Sequence, residues 1–142
     1  MKTWRFLPSW FGSVCFLVFC GNALAAETTN WSQVAEVIVT HITTAETLYQ
    51  GGKAAEAGRS VVQAYFGVFE DRKMEAAMRT ELGAKHTYQV EQQFGALRKA
   101  IRQQADMETI QTLAQGIRES VVRDARALDE ANIPMEVFEV NP

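Results

Sequence analysis

METIQTLAQGIRESVVRDARAL, residues 107–128, repeats apolar side chains at steps of three and four: Met107, Ile110, Leu113, Ala114, Ile117, Val121, Ala125 and Leu128. That period is the signature of a helix with one buried face, and a run of this length needs partners of the same kind to cover it. Asp106 is placed to cap its start, and Asn132 and Pro134 stop it. Upstream, residues 84–104 repeat the pattern with Thr87, Val90, Phe94, Leu97 and Ile101 in heptad-like register. Residues 72–82 form a shorter amphipathic piece that reaches Gly83. A helix starting at Lys53 buries Ala54, Ala57, Val61, Ala64, Tyr65 and Val68, with a bend or break expected where Gly67 precedes Val68-Phe69-Glu70-Asp71. The first helix follows the capping run Thr28-Thr29-Asn30 and carries Trp31, Val34, Ala35, Ile38, Ile42, Ala45 and Tyr49 on one face, ending at Gly51-Gly52. Prolines stand only at 8, 134 and 142, so nothing interrupts residues 26–133. The expected fold is all-α: an antiparallel up-and-down four-helix bundle with a break in the second helix region. The segment 135–142 alternates apolar and acidic residues and is expected to lie extended along the bundle.

Residues 1–25 read as an export signal. Lys2 and Arg5 give a positive start, WFGSVCFLVFC at 10–20 is an apolar run of h-region length, and Ala23-Leu24-Ala25 supplies a cleavage site. The run is too short to cross a bilayer stably, and no later stretch approaches about 20 continuous apolar residues. The expectation is a periplasmic protein beginning near Ala26, a single domain over 26–142 with no transmembrane segment. A lipoprotein reading, with Cys20 acylated, is disfavoured by Phe19 where a small residue belongs. Cys15 and Cys20 are the only cysteines, so cleavage after Ala25 leaves no disulfide, no thiolate metal site and no c-type haem attachment.

Without Lys2 and Arg5, twelve basic residues face seventeen acidic ones, a net charge of −5 that argues against nucleic acid as a partner. No Gly-x-Ser-x-Gly elbow is present, and Ser60 and Ser120 have no histidine near them in sequence, so an ordinary hydrolase is not expected. Gly51-Gly52 lacks the spacing of a phosphate loop, so no nucleotide is expected. What remains is carboxylate and imidazole chemistry: Glu70, Asp71, Glu75, Glu81, His86 and Glu91, with His41 and Glu46 on the first helix. Hard oxygen ligands suit iron, manganese or calcium better than copper(I). The Glu-x-x-His pair of di-iron bundles does not occur, which disfavours a ferritin-like oxidase. Glu46, Glu56, Glu108, Glu119 and Asp124 read as a solvated face, and the scattered methionines as core filling. Glu70 and Glu91 stand among aromatics and aliphatics, and a partly buried carboxylate needs a cation, whether Arg98, Arg79 or a metal.

Around these residues the chain resembles the helical extracytoplasmic domain of some bacterial high-affinity iron permeases. The matching blocks are Ala64-Tyr65-Phe66-Gly67-Val68-Phe69-Glu70 with Met74-Glu75-Ala76-Ala77, then Val90-Glu91-Gln92-Gln93-Phe94-Gly95-Ala96-Leu97-Arg98. The permease's intramembrane Arg-Glu-x-x-Glu signature is absent, so the chain itself is not the transporter. The resemblance implies a free-standing iron-uptake accessory that binds iron weakly through Glu70, Glu75 and Glu91, with Asp71 and His86 as supplements. It also implies an inner-membrane iron permease as recipient. The alternative is a metal-free interaction module for a membrane partner; an enzyme ranks behind both.

Overall fold

The computed structural model describes residues 30–136; the expected export signal, both cysteines and most of the segment 135–142 lie outside the described residues. These residues form five α-helices and one π-helical segment: α1 (Trp31–Gln50), α2 (Ala54–Ala64), π (Tyr65–Glu70), α3 (Met74–Glu81), α4 (Ala84–Arg102) and α5 (Met107–Glu130). The fold is all-α, with no strand among the described residues. The break expected in the second helix region is the π segment and a turn at 71–73, and the shorter piece expected at 72–82 is α3. Lys73 takes φ 61° there, a left-handed conformation that reverses the chain into α3.

Caps explain the boundaries. Asn30 and Gln33 make a reciprocal capping box: the Gln33 backbone N–H donates to Asn30 Oδ1 at 2.9 Å, and Asn30 N–H to Gln33 Oε1 at 3.1 Å. Asp106 accepts from Thr109 N–H at 2.8 Å and opens α5. Gly83, at φ 91°, ends the α3 turn in a conformation that costs any other residue strain.

The long helices pack as a closed ring, α1 against α2, α2 against α4, α4 against α5 and α5 against α1, with α3 laid against α4 and α5. Hydrogen bonds at both ends show that α1 and α5 run antiparallel. At one end the Asp129 carboxylate accepts from Trp31 N–H (2.9 Å), Ser32 N–H (3.0 Å) and Ser32 Oγ (2.5 Å). At the other, Tyr49 Oη donates to the Ala105 carbonyl at 2.6 Å. Asp129 therefore satisfies amides that α1 cannot bond itself and sits where the helix dipole favours a negative charge. The expected stripes are buried: Ile110, Ala114, Ile117, Val121, Ala125 and Leu128 from α5, and Thr87, Val90, Phe94, Leu97 and Ile101 from α4. Met74 and Met78 lie fully inside. Among the described residues no helix is long and apolar enough to cross a membrane.

Asp124 corrects the reading of a solvated face. Its side chain is 3% exposed, with His86 Nε2 at 2.8 Å from Oδ2 and Arg123 Nε donating to Oδ1 at 3.1 Å. The apolar stripe hid it, because Asp124 stands next to Ala125 and three residues beyond Val121 on the same face. Glu46 is also drawn inward, paired with Arg118 Nη1 at 2.7 Å between α1 and α5.

Candidate functional site

The π segment sets the geometry of the carboxylates. Residues five apart on an α-helix point about 140° away from one another. An i→i+5 turn brings them back to one face. Tyr65 and Glu70 have this spacing, and the Glu70 carboxylate lies near enough to the Tyr65 phenol to raise its pKa. Burial, then the nearby Glu70 carboxylate and the negative charges of Glu91 and Glu75, hold the Tyr65 hydroxyl far above its ordinary range, so it stays protonated. Ring contacts fasten the segment to α4: Tyr65 and Phe69 lie 5.4 and 5.5 Å from Phe94, centroid to centroid.

Across from the π segment, α3 supplies Glu75 and Arg79 and α4 supplies Glu91. Arg79 Nη2 donates to Glu75 Oε1 on its own helix and to Glu91 Oε1 at 3.0 Å. One guanidinium thus serves two carboxylates, and Glu70 adds a third negative charge. The Glu91 carboxyl is pushed above its ordinary value, first by burial and next by the charge of Glu75; Arg79 pulls it down, while a hydrogen bond with Glu75 and the charge of Glu70 raise it further. The Glu91 side chain is 18% exposed and Arg79 52%, so the cluster opens to solvent on the arginine side. A cleft of about 230 Å³ beside it is lined by Tyr65, Phe66, Phe94, Glu91 and Arg98.

Of the residues named from sequence, Glu75 and Glu91 come together on Arg79, Glu70 lies near enough to act on Glu91 through its charge, and Asp71 and His86 do not join them. Asp71 is exposed in the turn after the π segment. His86 turns to α5 and Asp124, because five residues on α4 separate it from Glu91 by well over a third of a turn. Of the two arginines named as candidate partners, Arg79 on α3 pairs with Glu91 and Arg98 does not. Glu81 is exposed, and His41 contributes its carbonyl, which accepts from Ser60 Oγ at 2.8 Å. Tyr65 was read only as part of a buried stripe; its spacing from Glu70 becomes meaningful once the helix is known to widen there.

Among the described residues no three His, Cys, Asp or Glu side chains stand in a metal-holding arrangement. Arg79 bridges Glu75 and Glu91, so a metal ion reaching these carboxylates has to displace its guanidinium. Comparison of the chain with protein-family models, curated proteins and solved structures returned no match.

Proposed function

We propose that this protein is a periplasmic accessory of iron uptake that binds iron weakly through Glu70, Glu75 and Glu91 and passes it to an inner-membrane permease. One observation supports the reading: Glu75 of α3 and Glu91 of α4 share a single exposed arginine, Glu70 adds negative charge near them, and Glu91 is raised first by burial and next by the charge of Glu75. A group of carboxylates with excess negative charge and one replaceable cation accepts a hard metal ion by exchanging arginine for metal. Arg79 keeps the site compact while it is empty of metal and makes the affinity modest, because its bonds are lost on loading. Tyr65, protonated and close to Glu70, adds no negative charge of its own to the group.

The test is titration of chelator-treated protein with ferrous iron under anaerobic conditions, following heat and melting temperature. Saturable binding with a rise in melting temperature is expected, and Glu91→Gln removes the rise. A flat titration at millimolar iron sinks the reading.

A second reading is favoured by the same arginine. A cluster already bridged by Arg79 is a finished polar network, and Phe66 and Tyr88, 51% and 58% exposed, present aromatic surface close to it. On that reading the protein is a metal-free interaction module for a membrane partner. The iron titration separates the two, since Glu91→Gln then changes no metal response.

A further inference from the structure

The face between α2 and α4 holds a groove of about 700 Å³, away from the glutamates but joined to them. Its floor is Ala54, Ala55, Gly58, Val62 and Ile101, and its walls carry Arg59, Arg98 and Arg102. Arg98 also lines the cleft that contains Glu91, so the basic groove and the acidic cluster share a wall. Lys99 lies at the edge of an adjoining depression with Arg98 and Arg102. In a chain of net charge −3 this is a concentration of positive charge. Among the described residues, none of the three arginines has an ion pair, whereas Arg79, Arg118 and Arg123 do. Arg98 and Arg102 are four apart on one helix, a like-charge spacing that costs helix stability unless an anion sits between them.

We infer that this groove binds a small organic polycarboxylate, the anionic half of a metal chelate. Three guanidiniums distributed over two helices match carboxylates several ångströms apart on a short carbon chain; a compact phosphate reaches one or two of them. Planar forks favour carboxylates held bidentately, and the apolar floor takes the carbon skeleton. Gly58 keeps the groove open: a Cβ there meets only Ile101 Cγ2, at 4.0 Å. The shared wall at Arg98 explains the arrangement. A chelate with its anion on the arginines presents its metal toward Glu91, where the carboxylates attract a cation and repel the anion. Transfer of metal from chelate to glutamates rests on the iron reading above; binding of the free anion does not.

The experiment is calorimetric titration of citrate, without metal, into the protein at low ionic strength, with acetate as the single-carboxylate control. Citrate is expected to bind with salt-sensitive affinity at least about tenfold above acetate. Arg98→Gln and Arg102→Gln each weaken it by about tenfold, because a charge-assisted bond is lost. Gly58→Leu, which fills the floor and leaves every charge in place, weakens it as well, and Glu91→Gln does not. All four positions are open enough for the variants to fold, checked by unchanged helical circular dichroism. Absence of citrate heat at about 10 mM, or equal affinity in the Arg98→Gln/Arg102→Gln double variant, overturns the inference. So does arginine-dependent binding to phosphatidylglycerol vesicles without binding of citrate. Citrate binding alongside a flat ferrous titration refutes the iron reading alone, and the converse refutes the groove alone.

Discussion

Glu91 is the residue whose environment makes the sharpest demand. Its folded-state value lies above the ordinary glutamate value of 4.5, so ionising it at neutral pH costs the fold free energy. Glu91→Gln is therefore expected to raise the melting temperature of the metal-free protein at pH 7 by up to a few degrees. Thermal unfolding by circular dichroism reads this directly, and a fall would mean that the bond to Arg79 outweighs repulsion from Glu75 and Glu70. A fully buried arginine partner would reverse this sign, since removing Glu91 would strand its charge. Arg79 is half exposed, and water replaces most of what it loses. Asp124 behaves differently, being enclosed and bonded to both His86 and Arg123. Asp124→Ala is expected to cost about 1–3 kcal/mol in urea unfolding, the range for bonds to a charged acceptor. A change near zero would assign those contacts to the surface.

Between elements, the α5 carboxylate that holds the start of α1 joins two ends of the chain 98 residues apart, and it is complemented by Trp31 Nε1–H donating to the Ile133 carbonyl at 2.7 Å. Asp129→Ala strips acceptors from two amides and a hydroxyl together, for an expected loss of about 2 kcal/mol. Hydrogen exchange should show the protection lost at the first turn of α1 and retained in α4. Uniform loss would mean that the contact serves global stability and not the local end. The break in the second helix region was legible from Gly67 and the aromatic-acidic run after it. That the break is a π turn was not, because apolar spacing over six residues fits either turn. The Tyr65–Glu70 pairing follows from the wider turn alone.

For the whole molecule, pH acts through two groups of opposite sign. Glu91, raised in the fold, contributes stability that is complete below its unfolded value and is lost as pH rises through its folded value. Asp106, lowered by the Thr109 bonds at the start of α5, contributes stability that is present above its unfolded value and is lost as pH falls through its folded one. The metal-free protein is thus expected to gain stability on mild acidification below neutrality and to lose it on stronger acidification. Iron affinity falls across the same mild window, since metal and proton compete for Glu91. Melting curves and ferrous titrations at matched pH check both, and parallel trends would detach Glu91 from the metal. By itself the sequence determined that the chain is helical, where α1, α4 and α5 begin and end, and most of the residues on their buried faces, because caps, period and missing prolines act over a few residues at a time. Only the tertiary structure decided that Glu75 and Glu91 meet with Glu70 nearby, that Arg79 and not Arg98 bridges the two, and that His86 and Asp124 pair elsewhere. Those outcomes depend on the turn of one helix segment and the rotation of helices against each other, and neither is encoded in the spacing of any single element.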